Sequence, residues 1–385
     1  MSSSNLPNLE SLKMEDDYQI YKLGTFALKS GGELPNAFIA YKTLGDPSLP
    51  AIIYPTWYSG CNISHTNTLQ SHPTNYPPAI FDNLWLTGPN KTLNPQKYFI
   101  IIPALFGNAQ SSSPSNMPDL RPFPDILFYD NVRAQHELVT KHLGIKHARA
   151  VLGWSMGAGQ TYQWATQFPD FMDLIAPFCG SAKTSLHNQV FLEGVKSTLY
   201  AAIGTSSSGI CHPTSLAPNS FAQRSALSRS PKETGLKALG RVYAGWGFSQ
   251  AFYREKLYES VLGFTDLETF MKDFWEIWAL SKDPENMLTM AHTWQAGDCS
   301  AQEPYGGDFG AAMRGIKARA LVMPCRTDLY FPPEDSEIEV GCMREGVGEL
   351  RVFESVWGHW AGGPGDSVGD VEWLDAQLRE FFEKN

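Results

Sequence analysis

Short, wholly apolar runs alternate with amphipathic stretches along much of the chain, a pattern that predicts parallel strands buried on both faces and separated by covering helices. The runs fall at 51–55 (AIIYP), 98–105 (YFIIIPAL), 148–153 (ARAVLG), 318–324 (ARALVMP) and 350–356 (LRVFESV). Ahead of them, residues 18–44 read as two strands around a Gly31-Gly32 turn, an antiparallel hairpin at a sheet edge. Helical spacing joins Val132, Leu138, Val139 and Leu143 before Gly144, and again Val371, Leu374, Leu378, Phe381 and Phe382. Between 183 and 301 the strand pattern gives way to aromatic-rich helical stretches such as FMKDFWEIWAL and to a Ser/Pro-rich segment. The expectation is an α/β core of residues 1–182 and 302–385, a mostly parallel central sheet flanked by helices. Residues 183–301 are expected to form a helical cap over the C-terminal strand ends, where open α/β sheets place ligand sites.

Composition narrows the partner. Hydrophobic residues make up 43% of the 385, ample for one large core plus an insertion. The net charge of −10, with no Lys/Arg-rich block, argues against nucleic acid or an anionic membrane and leaves a small-molecule substrate. The N-terminus has neither an apolar core nor a basic start, and no segment approaches the roughly 18 apolar residues of a membrane span, so a cytoplasmic protein is expected. The cysteines at 61, 179, 211, 299, 325 and 342 lack Cys-x-x-Cys pairs, which fits reduced thiols, no metal site, and idle sequons at Asn62 and Asn90. The C-terminal FFEKN carries no peroxisomal or lipidation address, and a homodimer is left open.

The chemistry concentrates in Gly153-Trp154-Ser155-Met156-Gly157, set between a strand-like run and a helical spacing of Ala158, Tyr162, Ala165 and Phe168 that stops at Pro169. Gly-x-Ser-x-Gly in that context is a nucleophile elbow, a turn tight enough to lift a serine hydroxyl above the following helix N-terminus. The N–H of Met156 then stands beside the serine to receive an oxyanion. A serine needs a histidine to take its proton and a carboxylate to orient that histidine. In α/β-hydrolases these follow in the order Ser, acid, His, each after a strand end. The run 318–324 leads to Asp328, with Glu334 and Asp335 as competitors, and the last run leads to His359 in a glycine-rich loop. His65, His72, His136, His142, His147 and His187 precede the acid, and His212 and His292 lie in the cap. The second oxyanion donor is expected after 51–55, from the N–H of Tyr58 or, next, Trp57, unless these aromatics only wall the pocket.

With that triad placed, YKTLGDP, FGNAQSSSPSN, DNVRAQHELVTKHLGI, GWSMGAGQTYQWATQFPD, DLYFPPED and GHWAG together resemble the homoserine O-acetyltransferase family of α/β-hydrolases. The resemblance implies a Ser155–His359–Asp328 triad, a helical lid and an acyl-serine intermediate, with an acyl-coenzyme A as a candidate co-substrate. That family carries an aspartate after the histidine to face a substrate ammonium; here Trp360 stands there. By the same likeness Arg241 is either a carboxylate-binding residue or a cap ion-pair residue, and Phe248 replaces a tyrosine. An uncompensated buried ammonium is costly, so homoserine is a poor fit. The reading is ester or thioester hydrolysis on a partly apolar substrate, with Trp57, Trp246, Phe248 and Trp360 lining the pocket. The alternatives are acyl transfer to an alcohol other than homoserine, carbon–carbon cleavage, and a ligand-binding protein without turnover.

Overall fold

The structure is a computed structural model. It describes residues 18–58, 83–203, 229–363 and 365–385; Cys61, Cys211, the Asn62 sequon, His65, His72, His212 and most of the Ser/Pro-rich segment lie outside these. A single eight-stranded sheet runs in the order β1-β2-β4-β3-β5-β6-β7-β8. Strands β1 (Gln19–Ala27) and β2 (Glu33–Leu44) form the antiparallel edge hairpin, and β2 pairs antiparallel with β4. The others run parallel: β3 (Ala51–Ile53), β4 (Phe99–Pro103), β5 (Ala148–Trp154), β6 (Met172–Phe178), β7 (Arg319–Val322) and β8 (Gly348–Leu350).

The unbroken apolar runs are explained by which way their side chains face. Along β4, Ile100 and Ile102 enter one hydrophobic cluster while Phe99 and Ile101 enter another; on β5, Ala150 and Leu152 oppose Ala148 and Val151. Both faces of the sheet are therefore core. Each fully buried isoleucine contributes about 2 kcal/mol. One face is covered by α1 (Phe128–Glu137) and α2 (Met156–Gln167), with α6 (Phe309–Gly315) and α7 (Pro333–Cys342) following near β7 and β8. Helix α8 (Val368–Lys384) closes the other, through Leu374, Leu378 and Phe381.

Between β6 and β7, where the cap is expected, the chain inserts α3 (Leu186–Ile203), α4 (Arg229–Gly247), short helical segments over 250–280, and α5 (Pro284–Gln295). Helix α5 begins where its residue types predict: Asp283 accepts from the N–H groups of Glu285 and Asn286, and Pro284 occupies the first turn, where no donor is needed. Among the described residues no helix is long and apolar enough to cross a membrane.

Two strands depart from the expectation. Strand β6 is absent from the apolar runs, because Asp173 and Pro177 interrupt it; the Pro177 carbonyl nevertheless accepts from Met323 N–H at 3.1 Å, so the strand keeps its place. Strand β8 ends at Leu350 rather than spanning 350–356. Arg351 and Phe353 still donate to the carbonyls of Val322 and Pro324, but Pro324 has no N–H to give back, and the ladder thins to an isolated bridge between Cys325 and Phe353.

Candidate active site

Strand β5 ends at Trp154 and α2 begins at Met156, leaving Ser155 alone on the turn with φ 57° and ψ −123°. A side chain rarely adopts that backbone, and such strain survives only where the surroundings enforce it. Here close packing enforces it. A Cβ on Gly153 would lie 2.4 Å from the carbonyl of Gly157, and one on Gly157 would lie 2.8 Å from the Pro55 carbonyl oxygen. The glycines flanking the serine are thus required by backbone against backbone, and Ser155 N–H is tied to the Phe178 carbonyl of β6 at 3.2 Å.

Three side chains far apart in sequence meet above this turn. His359 Nε2 lies 2.9 Å from Ser155 Oγ, and His359 Nδ1 lies 2.8 Å from Asp328 Oδ2. The other carboxylate oxygen, Oδ1, accepts from the N–H groups of Tyr330 (2.8 Å) and Phe331 (3.2 Å). All three residues are buried. Glu334 and Asp335, the competing carboxylates, sit in the first turn of α7, with Asp335 near His187. The other described histidines have other partners: His142 meets Tyr41, His147 meets Asp173, His292 meets Asp125, and His136 stacks on Phe168.

Around His359 the lining is aromatic. Trp154 stacks on the imidazole at 4.9 Å between centroids, Tyr330 meets it edge-on at 4.8 Å, and Phe331 lies at 5.5 Å. Tyr330 opens onto a box of rings from the cap and from β3's loop: Phe191, Tyr243, Trp246 and Trp294, with Tyr58 stacked on Tyr243. Burial pushes the phenols of Tyr58, Tyr243 and Tyr330 far up, so they are neutral hydroxyls rather than bases. Burial likewise raises the Cys179 thiol beside the site, which rules it out as a thiolate nucleophile near neutral pH.

The substrate-contact expectations divide. Trp246 borders the box, and Trp57 packs edge-on against Trp154 at 4.5 Å. Phe248 and Trp360 make no ring contact with the box among the described residues. They are buried in the cap's own aromatic core, with Phe248 stacked on Phe252 at 4.0 Å and Trp360 5.1 Å from both Phe248 and Trp275. Their large apolar rings are what joins the histidine loop to the cap. Arg241 is a cap ion-pair residue: its side chain is 40% exposed and holds Glu276 at 2.7 Å and Glu268 at 2.8 Å, leaving no free guanidinium for a substrate carboxylate.

Sequence reasoning passed over two residues. Trp154 occupies a variable position of the Gly-x-Ser-x-Gly frame, and Tyr330 reads as an ordinary loop aromatic. The glycine pair after His359 was the available signal for Trp154. A Cβ on Gly362 or Gly363 would come within 2.9 or 2.4 Å of the indole.

No family model matches the chain. It is 32% identical to a Corynebacterium glutamicum protein named as the probable esterase Cgl0839, over 96% of this chain and 97% of that one. It is 31% identical to the ethyl acetate hydrolase of Pseudomonas veronii, over 95% of each. A solved acetylester hydrolase from Corynebacterium glutamicum superposes with a TM-score of 0.80 at 31% identity, covering 95% of this chain and 96% of that one. A homoserine O-acetyltransferase of Trichormus variabilis is 26% identical over 87% of this chain and 86% of its own. The chain belongs to the homoserine O-acetyltransferase-like family of α/β-hydrolases. Within that family it is a serine-hydrolase-type esterase, as its near full-length likeness to esterases shows.

Proposed function

We propose that this esterase hydrolyses small, neutral esters of the acetyl ester class through an acyl-serine intermediate, with Ser155, His359 and Asp328 as its triad. The observation that carries the reading is the unbroken hydrogen-bond line from Ser155 Oγ through both imidazole nitrogens to Asp328 Oδ2. Asp328, its second oxygen already held by two N–H groups, keeps the Nδ1 proton in place, so Nε2 is free to accept. Ser155 Oγ attacks the acyl carbon as its proton passes to His359 Nε2. The imidazolium returns that proton to the departing alkoxide, and a water molecule then repeats the sequence to release the acid.

The oxyanion falls to the N–H of Met156, at the positive end of α2, and to a second donor from the loop after β3. Among the described residues, the N–H groups of Met156, Trp57 and Tyr58 donate to no acceptor. The Thr56 carbonyl accepts from Gln160 Nε2 at 2.8 Å, and in a trans peptide the N–H points opposite to the C=O. The Trp57 N–H thus points away from Gln160, and we keep the Tyr58 N–H as the second donor with the Trp57 N–H next; the Tyr58 hydroxyl donates to the Met287 carbonyl of α5 at 3.1 Å.

A neutral substrate follows from the chemistry of the walls. The rings beside His359 offer dispersion and hydroxyl groups, whereas an amino-acid substrate would need paired charges to offset its desolvation. Arg241 is committed to glutamates and Trp360 to the cap core, so neither supplies such a charge. Two similar proteins are named for acetyl ester chemistry, one an ethyl acetate hydrolase and one an acetylester hydrolase. The test is acetate release from ethyl acetate by wild type and Ser155→Ala, beside acetyl-coenzyme A with homoserine or water. Ser155-dependent acetate from the ester supports the reading; O-acetylhomoserine formed faster than acetate overturns it.

A further inference from the structure

We infer that Trp154 is a positioning residue for His359: it fixes the imidazole in plane and favours its protonated form during turnover. The inference rests on the triad reading above and adds a residue that touches neither the scissile bond nor the oxyanion.

The indole is held from several directions. It stacks on His359 at 4.9 Å and 26°, meets Trp57 edge-on at 4.5 Å, and meets Trp360 edge-on at 6.0 Å. Its Nε1–H donates to the His359 carbonyl at 3.2 Å, so one side chain grips both ring and backbone of the same residue. The chain at 362–363 comes so close to the indole that only glycine fits. Trp154 is fully buried. A rotated indole would have to displace Trp57, the glycine backbone or Trp360 of the histidine loop.

The electrostatic consequence follows from the face presented. An aromatic π face carries partial negative charge and attracts a cation, most strongly for tryptophan and most of all where water is excluded. His359 is a cation only after Ser155 Oγ bonds to the acyl carbon and its proton moves to Nε2, and until that proton is handed to the leaving alkoxide. The stack is therefore stronger in the transition state than in the resting enzyme, which is what accelerates a reaction. Among the described residues, the ionisable groups against the imidazole are Asp328 at Nδ1, Ser155 at Nε2 and the Tyr330 phenol edge-on. The indole supplies the remaining face.

The experiment compares wild type, Ser155→Ala, Trp154→Phe and Trp154→Leu in hydrolysis of ethyl acetate and p-nitrophenyl acetate from pH 5 to 9. A loss of cation–π stabilisation of ordinary size lowers kcat/KM on ethyl acetate by about fivefold in Trp154→Leu. It also moves the acid limb of the profile to lower pH by roughly 0.5 unit. Attack by Ser155 Oγ moves its proton to the imidazole whichever alcohol leaves, so p-nitrophenyl acetate loses kcat/KM by a similar factor. Trp154→Phe, which keeps a weaker face, falls between wild type and Trp154→Leu on both readouts, and it decides alone if the leucine variant does not fold. Acid limbs that coincide with wild type or move to higher pH overturn the inference while leaving Ser155-dependent hydrolysis intact. Wild-type turnover that survives Ser155→Ala overturns the triad reading and this inference together.

Discussion

Glu339 offers a measurable consequence of how the elbow helix is anchored. It lies on α7, 2% exposed, with Oε2 2.6 Å from the Tyr162 hydroxyl of α2 and Oε1 accepting from Ala182 N–H at 2.6 Å. It thereby ties the helix that carries Ser155 to the chain leaving β6. Burial pushes its carboxyl up to about 8, with Asp335 adding a smaller like-charge effect, so near neutral pH the folded protein keeps this acid protonated. The sign follows from proton counting. Unfolded, the group ionises near its ordinary value of 4.5. Between there and 8 the folded state holds one more proton, and raising the pH favours unfolding. The stability linked to Glu339 is fully present below 4.5 and is lost as pH climbs through about 8. One linked proton is worth about 1.4 kcal/mol per pH unit, so the window spans roughly 5 kcal/mol.

Glu339→Gln removes the titration and keeps the shape of the neutral acid. Its amide oxygen can accept from Ala182 N–H while its Nε2 donates to the Tyr162 oxygen. Urea unfolding of both proteins at intervals from pH 5 to 9 isolates the group, because every other titration cancels in the difference. The glutamine variant should gain on wild type by about 1 kcal/mol per pH unit between pH 5 and 8 and by no more above that. A difference that stays flat across that range would refute the protonated-anchor reasoning.

Asp328→Asn should lower kcat/KM on acetyl esters by about 10⁴-fold with the fold retained, because the amide NH₂ would face His359 Nδ1 and hold the tautomer whose Nε2 cannot accept; steady-state kinetics alongside a thermal melt check it. Arg241→Ala should leave KM for a small ester unchanged and cost less than ~1 kcal/mol, since its two glutamate partners are bridged at a solvent-exposed side chain. A KM rise of tenfold or more would return Arg241 to the substrate site.

The α/β core was legible in the residues because its strands leave a local mark, and marks of the same kind underlie the proposed cap between β6 and β7 and the proposed triad of Ser155, Asp328 and His359. Apolar runs of strand length announce a sheet covered on both faces, and Gly153 and Gly157 announce a turn too tight for side chains. Asp328 and His359 follow strand ends in the order the fold dictates. What the chain alone left open depends on which distant surfaces meet. Phe248 and Trp360 are both large and apolar, yet whether such rings line a pocket or fill a core is set by the helices packed on their far side. Arg241 had the right charge for a substrate carboxylate, and the cap gave it Glu268 and Glu276 instead. Strand β6 was hidden by Pro177 because a single missing donor reads as a break until the neighbouring strand supplies the bond to its carbonyl. Trp154 held no special place in the linear motif; it acquires one only because the fold lays the face of its ring on His359 and leaves glycine backbone behind it. Local conformation is written in nearest neighbours along the chain, whereas contact between side chains is a property of the packed whole.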